Sequence, residues 1–429
     1  MVLLSEAPGA DAALRGGTDR FNEKREAILA AAAQAFNQQG VAGTTLADVA
    51  ARVGLLKAGI HYYWRRKEDL AADALRRSID ALSDIVAAAG AAGSPPQRIR
   101  RLVHGVAALH AAIAAGERAP LVGFSDIRAL AAPAGPAVID AYVALFARLR
   151  HLLPTPPGLG RAGRNARAHL LLSLLNVLPV WLARYHPRDH ALVAAGMTDL
   201  LLGGLVAGDV APLQAALHDH DGAADAHTDD GLAAPHDPAL LPVREAYLRA
   251  ATSLINEIGH RGASVSRIAA RLKLTKGSFY HHHDGKDDLL VQCFERTLAV
   301  IDAVHARAAR RHGDGLSRTA AATAALVCFQ MSDQGPLLRH TALTALQPTQ
   351  REGIRRALAQ RHERLALWLS DGIADGNVRP VHAGLASHLL GTAVNAASEL
   401  PWWAPGLDRA DAPRLYIHPL FHGLLADDR

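Results

Sequence analysis

The feature that most constrains the fold is an internal repeat as long as a whole domain. When the 429-residue sequence is shifted by 219 positions, residues 25–70 align without a gap with residues 244–289, and 17 of the 46 positions are identical. The same shift pairs Gly204 with Gly423 near the end of each half. Solenoid repeats have periods of only about 20–50 residues. The chain is therefore predicted to be a tandem duplication of one two-part protein.

The composition favours helices over strands. Half of the residues are hydrophobic and only 5% are aromatic, and Ala and Leu dominate the apolar set. Both are strong helix formers, and runs with the period-2 alternation of strands are scarce. The predicted fold class is all-α, with two tandem units that each consist of a three-helix head and a helical bundle.

The repeat and the charge pattern together predict the domain boundaries. Residues 206–242 contain seven Asp and no Lys or Arg, which is typical of a flexible acidic linker. The predicted segments are a disordered tail (1–20), head 1 (21–68), bundle 1 (69–206), the linker (207–241), head 2 (242–287) and bundle 2 (288–429).

Cysteine usage and hydropathy predict the compartment. Cys293 and Cys328 lie in apolar helical contexts, which indicates inert buried thiols in a reducing environment rather than a disulfide framework. The N-terminus has no signal-peptide pattern, and the most apolar stretch, LLLSLLNVLPVWLA, is shorter than a membrane span. We expect a cytoplasmic protein with no membrane partner. The net charge of +5 is only weak support for a polyanionic partner.

Head 1 has the pattern of a helix-turn-helix braced by a longer helix. The apolar stripe of its first helix consists of Ile28, Ala32, Ala35 and Phe36. Gly40 is placed to end that helix, and Thr45 with Asp48 three residues later predicts the N-cap of the second. Gly54 then predicts the tight turn, and a third short helix is expected to begin near Leu56.

Head 2 repeats the pattern with some substitutions. Its first helix has the equivalent stripe of Tyr247, Ala251, Leu254 and Ile255. Gly259 is placed to end that helix and Ser264 to cap the next. Lys273 stands where head 1 has the turn glycine, so we expect a lysine in the left-handed backbone region at some cost.

Both heads resemble the N-terminal domain of the TetR/AcrR family of transcriptional regulators. The resemblance lies in TTLADVAARVGLLKAGIHYYWxxKEDL and SVSRIAARLKLTKGSFYHHHxxKDDL, which cover about a fifth of the chain. It implies that the third helix of each head enters the major groove of DNA. It also implies that each bundle binds a ligand and dimerises. We predict neither an enzymatic activity nor a cofactor.

The resemblance assigns DNA-contacting positions in each head. The phosphate positions are Thr45, Lys57 and Lys67 in head 1 and Ser264, Lys276 and Lys286 in head 2. The groove-facing positions are Gly59, His61 and Tyr62 in head 1 and Ser278, Tyr280 and His281 in head 2. The alternative is that these residues form only a solvated basic face.

Head 2 departs from the family pattern where head 1 has Tyr63 and Trp64. The equivalent residues are His282 and His283, and since histidine is less often fully buried, we expect a looser or weaker head. A metal site at His281–His283 with Asp284 is disfavoured, because consecutive helical residues point in different directions. The linker residues His218, His220 and His227 are expected to be solvated, so no metal is predicted.

The bundles carry a weaker resemblance. The leucines of bundle 1, such as Leu171, Leu174, Leu175, Leu178 and Leu201, are expected to be core or interface residues. The last two helices of each copy, around 165–185 with 189–206 and around 383–400 with 408–425, would form the dimerisation face. The stretches NVLPVWLARYHP and NAASELPWW resemble family members linked to lipid or acyl-thioester catabolism, which implies a small hydrophobic ligand.

These inferences predict a repressor that a hydrophobic ligand releases from DNA. One chain would act as an intramolecular pseudo-dimer on an asymmetric or imperfectly palindromic operator. A true dimer of tandem chains with four heads is an alternative arrangement. Alternative functions are an architectural DNA-binding protein without an inducer and a helical-bundle enzyme, for which we find no nucleophile–base pair, phosphate-binding glycine loop or metal-ligand set.

Overall fold

The computed structural model describes residues 10–130, 132–207, 241–275, 285–311 and 313–426. Within these ranges the chain is helical, apart from loops and an isolated β-bridge between Val206 and Val378. The all-α prediction is confirmed. None of the helices in the described ranges is long and apolar enough to cross a membrane.

The helices of the two copies follow the same order. The first copy contains α1 (Ala10–Gly43), α2 (Leu46–Arg52), α3 (Lys57–His61), α4 (Lys67–Gly90), α5 (Pro95–Ala114), α6 (Ala134–Arg150), α7 (Arg161–Leu182) and α8 (His190–Gly203). The second contains α9 (Leu241–Gly262), α10 (Val265–Arg271), α11 (Lys286–Arg310), α12 (Gly315–Gln330), α13 (Pro348–Ala374), α14 (Ala383–Ala396), α15 (Leu400–Trp403) and α16 (His418–His422), with a π-helical turn at Pro413–Ile417.

The chain forms two compact units. Unit 1 consists of Met1–Ala81 and Ala112–Ala141, and unit 2 of Leu82–Ala111 and Tyr142–Arg429. Head 1 lies within unit 1. Head 2 and most of both bundles lie within unit 2.

The first helix begins earlier than the sequence predicts. It starts at Ala10, so residues 10–20 are helical, whereas the predicted tail covers 1–20. The segment ADAALRGGTDR contains helix-favouring Ala, Leu and Arg beside two glycines, and the glycines obscured the helical signal. Residues 1–9 and most of the predicted linker, 208–240, lie outside the described ranges.

Equivalent side chains hold equivalent loops in the two copies. The Asn37 amide donates to the Leu121 carbonyl at 2.8 Å, and the equivalent Asn256 amide donates to the Leu337 carbonyl at 2.9 Å. Each amide oxygen also accepts a backbone N–H two residues beyond that carbonyl. The predicted duplication is therefore visible in long-range hydrogen bonds as well as in the sequence.

A duplicated ion pair joins the first and fourth helices of each copy. Arg77 on α4 donates to Glu26 on α1 at 3.0 Å, and Arg296 on α11 donates to Glu245 on α9 at 2.7 Å. The Arg296 side chain is only 3% exposed. Burial of an arginine requires a paired carboxylate, so this contact fixes the head against the following helix in both copies.

In unit 2 the last helices of the two copies pack against each other. Helices α7 and α8 contact α14 and segment 413–422. Gly204 has φ +67° and abuts the Phe421 carbonyl, and Gly423 has φ +97° and abuts the Leu202 carbonyl. Because Gly204 is equivalent to Gly423 and Leu202 to Phe421, each copy makes the same contact with the other. This reciprocity is the property of a two-fold interface.

The leucines predicted to be buried in bundle 1 are buried. Leu171, Leu174, Leu175, Leu178 and Leu201 are each at most 2% exposed. Cys293 and Cys328 are also buried, as predicted. Burial raises the pKa of the Cys293 thiol to about 12, which keeps it protonated and unreactive at neutral pH.

Candidate nucleic-acid interface

The first helix of each head breaks at the glycine that the sequence indicates. Gly40 and Gly259 have φ values of 72° and 73° inside α1 and α9. This left-handed conformation is accessible to glycine at little cost. The break reorients the chain, so that the next helix of each head begins within six residues.

Thr45 caps α2 in a capping box with Asp48, as predicted. The Thr45 hydroxyl accepts the Asp48 N–H at 3.2 Å and donates to the Asp48 carboxylate at 2.7 Å, and the Thr45 N–H donates to the same carboxylate at 2.8 Å. These bonds from Thr45, the hydroxyl first, lower the pKa of Asp48. The hydroxyl proton is therefore held by Asp48 in this state, and a DNA phosphate would have to compete for it.

The turn after α2 uses a glycine in head 1 and a lysine in head 2. Gly54 has φ +65°, and Lys273 has φ +59°. The prediction of a left-handed lysine is confirmed. In both heads the residue after the turn donates its N–H back to an alanine carbonyl of the second helix at 2.9 Å. The turn geometry is therefore the same despite the substitution.

Helix α3 presents a polar outer surface. Ile60 is fully buried and anchors the helix, whereas His61 is exposed and Tyr62 is 75% exposed. Lys57 is its first residue, and Gly59 is half-buried against Leu55. The structure thus brings the predicted groove-facing residues together on one short helix and its C-terminal end.

Trp64 connects α3 to the rest of head 1. Its indole N–H donates to the Asp73 carboxylate at 2.9 Å, and Arg25 donates to the same oxygen at 2.7 Å. The neighbouring Tyr63 stacks on Phe21, with ring centroids 4.9 Å apart. This aromatic pair therefore packs against α1 and α4.

A basic segment follows α3 and was missed by the sequence argument. Arg65 and Arg66 are both exposed and directly precede Lys67, the first residue of α4, whose Nζ donates to the Ala42 carbonyl at 3.3 Å. The motif leaves these two arginine positions variable, so it gave no reason to select them. The equivalent residues in head 2 are Asp284 and Gly285.

The described part of head 2 has its own cap and cation. The Ser264 hydroxyl accepts the Arg267 N–H at 3.3 Å, which confirms the predicted N-cap of α10. Arg267 replaces Asp48 of head 1, so this cap has no acidic partner at that position. Lys286 is the first residue of α11. Lys276, Ser278, Tyr280 and His281, together with His282–Asp284, lie outside the described residues.

Both heads carry an excess of positive charge. Head 1 contains seven Lys and Arg against four Asp and Glu, and head 2 contains eight against four. A positive surface next to an exposed short helix suits a polyanion such as the DNA backbone. In the described part of the chain, no group of three or more His, Cys, Asp or Glu side chains could hold a metal ion.

A family model and a curated relative match the heads of this chain. The family model described as "Bacterial regulatory proteins, tetR family" matches twice, at residues 28–74 and 248–293. The Transposon Tn10 TetC protein of Escherichia coli is 36% identical over 59 residues, which is 14% of this chain and 30% of that protein. The match therefore spans less than a third of the length of this curated relative.

Solved structures of the same family also match, each over 42% of this chain. A TetR family transcriptional regulator, PfmR, from Thermus thermophilus is 22% identical and covered over 98% of its length, with a TM-score of 0.35. A TetR-family transcriptional regulator from Bordetella parapertussis is 15% identical and covered over 95%, with the same TM-score. Each head therefore matches the tetR family of bacterial regulatory proteins separately, and the chain carries this domain twice, in a tandem, duplicated form.

Proposed function

We propose that the chain is a sequence-specific DNA-binding transcriptional regulator that acts in the cytoplasm as a repressor. The observation that carries the proposal is the capped α2–turn–α3 unit of head 1, on which His61 and Tyr62 project into solvent while Ile60 holds the helix in place. A short anchored helix with exposed donors and acceptors is the element that reads base edges in the major groove.

The phosphate contacts in this proposal come from the start of each helix. Lys57 and Lys67 begin α3 and α4, and Lys286 begins α11. Helix N-termini and lysines both favour phosphate, since each contributes positive charge there. Thr45, Ser264 and Lys276 complete the proposed set, and Arg65 and Arg66 add two cations to head 1.

The chain acts in this proposal as its own dimer. The reciprocal contact of Gly204 with Phe421 and of Gly423 with Leu202 supports it, because isologous contacts of this kind normally join two identical subunits. The proposed groove-facing residues differ between the heads, so the two half-sites of the operator should also differ in sequence. These residues are Gly59, His61 and Tyr62 in head 1 and Ser278, Tyr280 and His281 at the same positions in head 2. The proposed operator is therefore asymmetric.

A small hydrophobic ligand is proposed to release the DNA. A cavity in bundle 2, between α11, α12, α13 and α14, supports this role, since binding sites between bundle helices are mostly apolar. A ligand that prefers one arrangement of the bundles would shift the population of head positions and so change the affinity for DNA.

The test is selection of bound sequences from randomised DNA, followed by DNase protection on the DNA beside the protein's own gene. We expect a defined protected site, and Tyr62→Ala should relax the sequence preference. Arg355→Ala, which removes an exposed arginine of bundle 2, is the control. Uniform protection without sequence preference would contradict regulation and favour an architectural role.

A further inference from the structure

The cavity in bundle 2 contains polar groups of two kinds. Most have partners within the protein. The Thr323 hydroxyl donates to the Thr319 carbonyl at 2.6 Å, and the Gln330 side-chain amide donates to the Val394 carbonyl at 2.8 Å. The Asn395 side-chain oxygen accepts the backbone N–H of His340 at 3.1 Å. These groups hold the cavity wall in shape and have little left to offer an occupant.

His305 and Arg361 are different. His305 is 1% exposed, and neither of its ring nitrogens has a hydrogen-bond partner among the described residues. Arg361 donates through Nη1 to the Ala357 carbonyl at 2.7 Å and pairs through Nη2 with Asp302, but its buried Nε has no partner in the described ranges. Leaving a buried polar group unsatisfied costs about 1–3 kcal/mol, so two at one cavity require an explanation.

The electrostatic surroundings of His305 favour an anion. Arg361 and Arg364 of α13 act on it, against a single carboxylate, Asp302, on its own helix, and His362 lies near. Burial lowers the pKa of His305 to about 4, and burial likewise lowers that of His362 to about 3. At neutral pH both rings are therefore uncharged, and each can donate one N–H.

The rest of the cavity wall is apolar. It consists of Leu326, Leu337, Leu338, Leu358, Leu365 and Val394. An occupant that satisfies the whole lining would carry one hydrogen-bond-accepting, negatively charged group and a flexible hydrocarbon part.

We propose that this cavity binds a small carboxylic acid with an apolar chain, whose carboxylate accepts hydrogen bonds from His305 and from Nε of Arg361. The proposal deepens the ligand-release function above and rests on it. It names the ligand class, and it restricts this site to bundle 2, because the residue equivalent to His305 in bundle 1 is the buried Val86.

The cavity also borders the interface between the two copies. The ring of His362 lies 4.5 Å from that of His388, and His388 Nε2 lies 2.7 Å from Arg184 of the first copy. A side chain at Gly391 would overlap His362, so the glycine provides the room for that ring. A ligand that displaces His362 would therefore act on the contact of His388 with Arg184, which follows α7.

The test compares octanoate with octanol, which has the same chain length but no charge, by titration calorimetry on the full chain. We expect octanoate to bind at least tenfold more tightly. A carboxylate beside His305 raises its pKa, so binding should take up protons, and the uptake should increase from pH 7 to pH 6. Calorimetry in buffers of different ionisation enthalpy measures that uptake.

Two variants test whether His305 is responsible for the preference for octanoate and for the proton uptake. His305→Val installs the bundle 1 residue and should remove both the tenfold preference and the proton uptake. His305→Gln keeps a donor that cannot be protonated, so it should retain part of the preference without the uptake. Equal binding of octanoate and octanol, binding of neither, or an unchanged preference in His305→Val would overturn the proposal. DNA affinity of the same samples, measured without octanoate, separates that outcome from failure of the regulator itself.

Discussion

The two copies connect their helices through side-chain contacts at equivalent positions, but different contacts are ion pairs in each copy. In head 1, Arg25 of α1 forms an ion pair with Asp73 of α4 at 2.7 Å. At the equivalent positions of the second copy, Arg244 donates to the neutral Gln292 at 3.0 Å. This contact between the first and fourth helices is thus ionic in one copy and neutral in the other, whereas the neighbouring ion pair of Arg77 or Arg296 is present in both.

The contact between the first and second helices differs in the opposite sense: it is an ion pair in head 2 and a neutral hydrogen bond in head 1. In head 2, Arg271 of α10 forms an ion pair with Glu257 of α9 at 2.9 Å, and this contact raises the pKa of Arg271. The equivalent Arg52 of head 1 donates to the neutral Gln38 at 2.7 Å. The duplication therefore preserves the geometry of these contacts while their chemistry diverges.

We expect the largest loss of stability from substitutions at the contact between the two copies. Gly204→Ala and Gly423→Ala should each destabilise unit 2 by roughly 2–5 kcal/mol, since both place a side chain at positive φ against a backbone carbonyl. Gly406→Ala is the matched control, because Gly406 has φ +85° with open space around it, and should cost only about 1 kcal/mol. Urea unfolding of the three variants measures this. Unequal effects at Gly204 and Gly423 would break the reciprocity.

The contact of Arg25 with Asp73 should contribute more to the free energy of unfolding than the equivalent contact of Arg244 with Gln292. Asp73→Ala removes the partner of both Arg25 and the Trp64 indole, and we expect a loss of about 2 kcal/mol. Gln292→Ala in the second copy should cost about 0.5–1 kcal/mol. Hydrogen exchange of α1 and α9 amides reports the two heads separately within one chain. Greater loosening of α9 than of α1 would reverse the comparison.

The two lysines that are proposed to contact DNA phosphates should contribute equally to the salt dependence of DNA binding. Lys57→Ala and Lys276→Ala should each weaken binding on all sequences and reduce the log–log salt slope by about 1. Anisotropy titrations over a range of salt concentrations give the slopes, with Arg355→Ala as the charge control. A change for only one lysine would show that a single head carries the phosphate contacts, and unchanged slopes for both would exclude the assignment.

The turn residues should give the smallest effect. Lys273→Gly should stabilise head 2, and Gly54→Lys should destabilise head 1, each by about 0.5–1 kcal/mol, because glycine adopts positive φ at less cost than lysine. Exchange protection of α10 and α2 measures the two changes. Changes of the same sign would indicate that the lysine side chain makes a compensating contact.

The heads could be predicted because their determinants are local. The capping box joins Thr45 and Asp48, three residues apart, and Gly40 and Gly54 end helices by their own backbone preference. The ion pair of Arg25 with Asp73 spans 48 residues, and periodicity carries no signal for such a partner.

The cavity residues could not be predicted for the same reason. His305 lies on α11, Arg361 and His362 on α13, and His340 in a separate 3₁₀ turn. They meet only after the bundle has formed, so no spacing in the sequence marks them. The reciprocal contact of Gly204 and Gly423 is an intermediate case, since the repeat paired these residues but gave no indication that they lie at the interface.

In the proposed arrangement, one chain supplies both halves of the dimer that reads DNA. Native mass spectrometry of the complex with its selected duplex can test this arrangement. We expect one 45.4 kDa chain per duplex, bound to a site whose two halves differ in sequence. Two chains on a perfect palindrome, contacted identically by both heads, would contradict it.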